Sequence, residues 1–264
     1  MSFKKRDSDS KQEQKRIHAY VATPAYDGRV MTDFAISMTE AAQAAAVYGI
    51  QVTAAVMGNG AFIEIARNNF VRMFLETECT HLFFIDSDLR FEPRAFVNIL
   101  LARLPVAAGM YRRRQEPEDY PVKISDYPDG GGLWVEDDWV MCDRVPTGFL
   151  CISREVIEEM VADPSTKYLE QANLPLTPIL FDTYLVPRNE SGTVNTFMGE
   201  DFSWCEKYRA KYGKPIPVWP DWDFTHGGYK CNFYQYLAKE IEKEELAKQA
   251  TAPLDGPDEA EAAA

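Results

Sequence analysis

Between residues 16 and 111 short apolar runs alternate with longer segments of helical period, and few folds accept that alternation. The runs "RIHAYVATP" (16–24), "IQVTAAVMG" (50–58), "HLFFID" (81–86) and "PVAAGMY" (105–111) have the length and apolar content of strands. Between them, 31–48, 61–78 and 93–103 space their apolar residues as helices do, with Gly49 closing the first and Pro93 opening the third. This succession predicts an α/β fold: an open, mostly parallel twisted sheet with helices on both faces. From 120 to 153 the pattern shortens into partly antiparallel strands around "PDGGG", the mark of a smaller antiparallel region. Further helices are expected at about 154–162, 201–211 and 235–249, and no internal repeat is present. The organisation expected is a flexible basic arm at 1–16, one domain over 17–236, and a charged helix with a disordered acidic tail over 237–264.

Composition narrows the setting. A chain of 264 residues that is 46% hydrophobic and 12% aromatic is globular and long enough for a large core. No apolar run approaches the roughly 18 residues of a membrane span, and no signal-like stretch follows the basic start. Five scattered cysteines without a C-x-x-C pair imply reduced thiols, hence a cytoplasmic location. A net charge of −13 argues against a wide basic surface for nucleic acid. The basic arm and the consecutive Arg112, Arg113 and Arg114 run against that balance. Such a trio is either a solvated face or a site for an anionic acceptor or a diphosphate.

The run "THLFFIDSDLRFEP" (80–93) drives a strand into two aspartates and stops. Ligands of open α/β sheets bind outside the carboxyl ends of the strands, where Asp86 and Asp88 fall. Side chains two residues apart in extended backbone face the same way, and paired carboxylates repel unless a cation offsets them. Mg²⁺ or Mn²⁺ would do so with oxygen ligands; caps on the turn backbone are the other reading, and spacing alone leaves both open.

With its neighbours, that stretch resembles the nucleotide-sugar-dependent glycosyltransferases of the GT-A fold, a Rossmann-like architecture. The resemblance covers about 17–230 and rests on ordered pieces: "VATPAYDG" (21–28), "EIARNNFVRMFLETECTHLFFIDSDLRF" (64–91), "VPTGFLCISREV" (145–156), "FMGEDFSWCEKYRAKYGKPI" (197–216) and "DWDFTHGGY" (221–229). Within that family the chain is most like bacteriophage-encoded, DNA-modifying members. The resemblance implies that Thr23, Pro24, Tyr26 and Asp27 contact the nucleobase, and Arg67 and Asn68 the nucleotide. Asp86 would bind ribose or a metal-bound water, and Asp88 the metal, Mn²⁺ or Mg²⁺. Thr147 and Gly148 would border the donor sugar. His226 would be a further metal ligand, with Asp223 competing, whereas His18 and His81 read as ordinary backbone caps.

In such chemistry a carboxylate must take the acceptor proton if the anomeric centre inverts, the course slightly favoured here. "GED" supplies Glu200 and Asp201 at a helix start, and by analogy Asp201 is the base; N-capping is the bland alternative. Arg112 and Trp222 are the acceptor-side candidates, although each tryptophan could equally be core. The donor expected is a nucleoside-diphosphate sugar, UDP-linked by preference. The acceptor is a hydroxyl, on a 5-hydroxymethylpyrimidine of phage DNA or on a glycan, protein or small molecule. No membrane and no stable protein partner are implied. A sugar-nucleotide-forming nucleotidyltransferase would want a glycine-rich phosphate loop, and "TPAYDGRVMTD" has one glycine. A non-catalytic carbohydrate- or nucleic-acid-binding module is the alternative from another class.

Overall fold

The computed structural model describes residues 16–58, 60, 62–172, 174–189 and 191–251. The arm expected at 1–16, save Arg16, and the tail beyond 251 lie outside them. The first half runs β1 (His18–Ala25), α1 (Thr32–Val47), β2 (Gln51–Gly58), α2 (Ile63–Leu75), β3 (His81–Ile85), β4 (Leu89–Phe91), α3 (Pro93–Ala102) and β5 (Val106–Gly109). Next come β6 (Lys123–Ile124), β7 (Val135–Glu136), β8 (Trp139–Arg144), β9 (Phe149–Ser153), α4 (Arg154–Val161), β10 (Tyr168–Leu169) and β11 (Thr177–Pro178). The chain continues through β12 (Tyr184–Pro187), β13 (Asn195–Met198), α5 (Glu200–Tyr212), β14 (Ile216–Trp219), β15 (Asp223–His226), β16 (Tyr229–Asn232) and α6 (Phe233–Thr251).

A nine-stranded sheet has the order β2-β1-β3-β9-β5-β14-β8-β6, with β7 beside β8. β1 pairs in parallel with β2 and β3, and β5 with β14, as the alternation requires. β9 is wedged antiparallel between β3 and β5, and β8 is antiparallel to β14. Both reversed strands come from 120–153, where the βαβ rhythm breaks. The sheet is therefore mixed α/β and mostly parallel, with its antiparallel members confined to that segment.

β3 is buried along its whole length, and its neighbours Phe83 and Phe84 must point to opposite faces. Phe83 stacks on Phe96 of α3, with ring centroids 5.0 Å apart. Phe84 meets Phe70 of α2 edge-on, and also Phe181, which stacks on Trp204 of α5. Helices thus cover both faces, and truncating either phenylalanine to alanine should cost about 3–5 kcal/mol. α3 begins with Pro93 in its first turn and ends at Arg103 in the left-handed region (φ 50°). Gly49 (φ 69°) stands just past α1. β2, expected as an apolar strand, is an edge strand whose side chains are mostly exposed, because only β1 flanks it.

One further sheet reaches the site. β4, β15 and β16 form a small antiparallel sheet that folds the segment 223–232 against the chain leaving β3. Trp222 is buried, its ring near those of Trp139 (6.4 Å) and Trp219 (6.0 Å). It is core packing, and the structure does not offer it as an acceptor-stacking platform.

Candidate active site

The end of β3 opens onto a cleft of about 550 Å³. Pro24, Ala25, Tyr26 and Asp27 from the end of β1 line one side; Met57, Gly60, Ile63, Ala66 and Arg67 continue it. Asp86, Ser87, Asp88, Tyr111, Arg114, Glu200 and Asp201 complete it. The two aspartates do not share a direction, because the chain turns at Ser87 and Asp88 instead of staying extended. Each carboxylate consequently has its own set of partners.

Asp88 faces His226. The register of β4 on β15 sets His226 opposite Leu89, and the Gly227 N–H donates to the Asp88 carbonyl at 3.2 Å. His226 Nδ1 lies 2.8 Å from the Arg112 carbonyl, an obligate acceptor, so Nδ1 carries a proton. Nε2 is then aimed at Asp88 Oδ2, 3.4 Å away. Two lone pairs cannot rest there unopposed: either a proton or a cation must lie between imidazole and carboxylate. Burial alone would push the Asp88 carboxyl up, but the hydrogen bond and charge of His226, with Arg114, hold it below its usual value. Burial would lower His226, and its bonds to Asp88 and the Arg112 carbonyl outweigh that and raise it. Arg114 Nη1 is 2.8 Å from the same Asp88 oxygen.

A carboxylate and an imidazole converging on one point are a donor pair suited to Mn²⁺ or Mg²⁺ when substrate oxygens fill the remaining positions. Asp86 is not part of that pair. No group of three or more His, Cys, Asp or Glu side chains converges as a metal site among the described residues. Asp223, the competing ligand, lies at the far end of β15 and accepts from Asn232 Nδ2 at 2.9 Å.

Asp86 belongs to a second network. Arg67, buried on α2, gives Nη2 to Asp86 Oδ1 (3.4 Å) and Nε to Glu200 Oε1 (3.2 Å). Its Nη1 is buried with no hydrogen-bond partner among the described residues. The Gly148 N–H donates to the Tyr111 hydroxyl at 3.0 Å, and that hydroxyl donates to Asp86 Oδ2 at 3.4 Å. The Tyr111 ring meets the His226 ring edge-on at 4.9 Å, so Tyr111 joins both halves of the cleft. Gly148 has no room for a side chain: a Cβ would run into the Tyr111 hydroxyl and Asp86.

Asp201 stands apart from these pairs. It accepts the Phe202 N–H at 2.8 Å at the start of α5. Burial, then the negative charge of Glu200, push its carboxyl up to about 6; the Phe202 N–H and Arg67 pull only partly the other way. Glu200 is held by Arg67, while Asp201 keeps a proton affinity near neutrality. A buried carboxyl raised in this way inside a cleft is the usual mark of an acid–base candidate.

The structure brings together Pro24, Tyr26, Asp27, Arg67, Asp86, Asp88, Glu200, Asp201 and His226, with Gly148 beneath them. Thr23 is buried within β1, and Thr147 is buried with its hydroxyl unbonded among the described residues. Neither lines the cleft. Asn68 is spent on structure: its amide donates to the Phe181 carbonyl and accepts from the Leu180 and Phe181 N–H groups. Arg112 pairs with Glu116 at 3.0 Å and lies over the Tyr229 ring, away from the cleft. It is Arg114 that reaches the site. Arg113 pairs with Asp119 at 2.8 Å, so all three arginines are engaged by acids of this chain. Sequence reasoning offers Arg114 only as one of the arginine trio and does not find Tyr111, although Tyr111 stands at the carboxyl end of an expected strand.

Neither family models nor curated proteins match the sequence. Solved structures do resemble it. One is A197 from STIV, at 16% identity and TM-score 0.46, covering 80% of this chain and 85% of that one. Another is the inositol-1-phosphate CTP transferase of T. maritima, at 11% identity and TM-score 0.39, covering 80% and 89%. A third is a candidate glucose-1-phosphate thymidylyltransferase of Bacillus anthracis, solved with sucrose, at 8% identity and TM-score 0.33, covering 56% and 76%. With likenesses of that extent, the chemistry has to be read from the cleft itself.

Proposed function

We propose that the chain is a metal-assisted glycosyltransferase of GT-A type, moving a sugar from a nucleoside-diphosphate sugar to an acceptor hydroxyl. The observation that carries the reading is one cleft holding both the Asp88–His226 donor pair and the carboxyl of Asp201, raised to about 6. Asp88 and His226 would hold Mn²⁺ or Mg²⁺, which when bound acts as a Lewis acid toward the departing diphosphate. Arg67 pairs with both Asp86 and Glu200 and so offsets part of the negative charge gathered around Asp201. Asp201, which forms no ion pair among the described residues, takes the proton from the acceptor hydroxyl as the new bond to the anomeric carbon forms and the diphosphate departs. That single displacement inverts the centre. Tyr26, largely exposed at the mouth of the cleft, is placed to meet a planar base.

The test is a calorimetric panel of UDP-, GDP-, CDP- and ADP-linked sugars, each with Mn²⁺ and with chelator. One donor bound tightly and in a chelator-sensitive way is the expected result. Binding of a nucleoside triphosphate with a sugar phosphate, and of no sugar nucleotide, would favour a nucleotidyltransferase. Acceptors are then screened with the bound donor, hydroxymethylpyrimidine DNA beside neutral glycans. The Arg112–Arg114 trio no longer recommends the DNA, since internal acids hold all three.

A further inference from the structure

The cleft is short of usable positive charge. Its lining carries the carboxyls of Asp27, Asp86, Asp88, Glu200 and Asp201 against two guanidiniums, Arg67 and Arg114. Arg67 is buried and divides itself between Glu200 and Asp86. Arg114 is different: its side chain is 59% exposed and meets Asp88 through Nη1. Its stem lies along Gly227, where an added Cβ would strike Arg114 Cδ, and Gly227 itself sits at φ +54°. The glycine therefore serves both the turn after β15 and the passage of this arginine. At its base the Arg113 N–H is tied to the Asp119 carbonyl at 2.8 Å, which anchors the backbone just before it.

We propose that Arg114 exchanges between two anions, the Asp88 carboxylate and the diphosphate of the donor, ceding the carboxylate when a divalent ion takes it. The inference rests on the glycosyltransferase reading and adds a residue and a motion to it. A divalent ion and a guanidinium compete for the same Asp88 oxygen, because both need its lone pairs and repel each other across it. Once displaced, a planar fork of N–H donors finds its natural partner in a phosphate brought to the same place. Arg114 then supplies charge to the leaving group that Arg67, committed to Glu200 and Asp86, does not.

The experiment uses the full chain as wild type, Arg114→Gln and Arg114→Lys, titrated calorimetrically with MnCl₂ alone and with inorganic pyrophosphate at saturating MnCl₂. Arg114→Gln should bind Mn²⁺ roughly two- to fivefold more tightly, the worth of an exposed ion pair removed from competition. It should bind pyrophosphate roughly ten- to a hundredfold more weakly, the worth of a charge-assisted contact. Arg114→Lys should fall between, and it serves as the second reading if the glutamine variant does not fold. An unchanged Mn²⁺ affinity in Arg114→Gln overturns the exchange, as does an unchanged pyrophosphate affinity in that variant. If the wild type binds a sugar nucleotide while either result holds, the Arg114 inference fails alone. If it binds no donor, no Mn²⁺ and no pyrophosphate, the glycosyltransferase reading fails with it.

Discussion

Replacing Asp201 by asparagine should raise stability and sharply reduce turnover together, and the two effects have one cause. The Asp201 carboxyl has moved from an ordinary 3.8 to about 6, chiefly through burial and then through Glu200. At about 1.4 kcal/mol per tenfold change in proton affinity, ionising it costs the folded state roughly 3 kcal/mol. Because the folded value is the higher one, the folded chain keeps a proton that the unfolded chain has already released. Stability from this group is therefore present at pH 4, falls as pH rises to about 6, and is absent above that. Asparagine retains an oxygen for the Phe202 N–H and carries no charge. With screening by cleft water allowed for, the variant should gain about 1–3 kcal/mol at pH 8, or roughly 3–10 °C in Tm. At pH 4 the gain should nearly vanish. Donor binding should persist while kcat drops by roughly 10²–10⁴, as befits a lost general base. Scanning calorimetry at pH 4 and pH 8, beside turnover assays with the bound donor, checks both. An Asp201→Asn chain no more stable at pH 8 than the wild type would refute the buried-charge account; full turnover would remove Asp201 as the base.

Other consequences follow from the same network. In the wild type, kcat/KM should rise through about pH 6 as Asp201 deprotonates. Arg67→Met strips Asp86 and Glu200 of their shared cation, costs about 3–5 kcal/mol in urea melts, and moves that rise to higher pH; an unmoved profile would show Asp201 does not feel Arg67. Gly148→Ala places a methyl group against the Tyr111 hydroxyl and Asp86. Calorimetry should then show sugar-nucleotide binding weakened, and undiminished binding would mean that the contact beneath the cleft is slack.

Much of the scaffold was legible from the chain. The strands at 16–24, 81–86 and 105–111 stand where their apolar runs put them, and Pro93 and Gly49 mark helix ends as their backbone preferences demand. Local chemistry suffices there, because a strand's burial and a helix's ends are written in neighbouring residues. It failed where a side chain's fate depends on distant partners. Asn68 reads as a nucleotide ligand until Leu180 and Phe181 fold over it, more than a hundred positions away. Trp222 reads equally as an acceptor-side ring or as core until β8 and β14 bring Trp139 and Trp219 against it. Arg112 and Arg114 are indistinguishable in "YRRRQ", yet one lies over Tyr229 and the other on Asp88.

The sequence by itself determined the α/β alternation, the carboxylates at the end of β3 and the acidic pair opening α5, since each depends only on periodicity and on where strands and helices begin. The tertiary structure alone decided how those charges divide. Wedging β9 between β3 and β5 sets the Gly148 carbonyl 3.0 Å from the Asp86 N–H, and pairing β4 with β15 carries His226 to Asp88. Whether a carboxylate meets an arginine, an imidazole or only its own buried neighbour is settled by long-range packing. The energies that set its charge act through space across a few ångströms and take no account of separation along the chain.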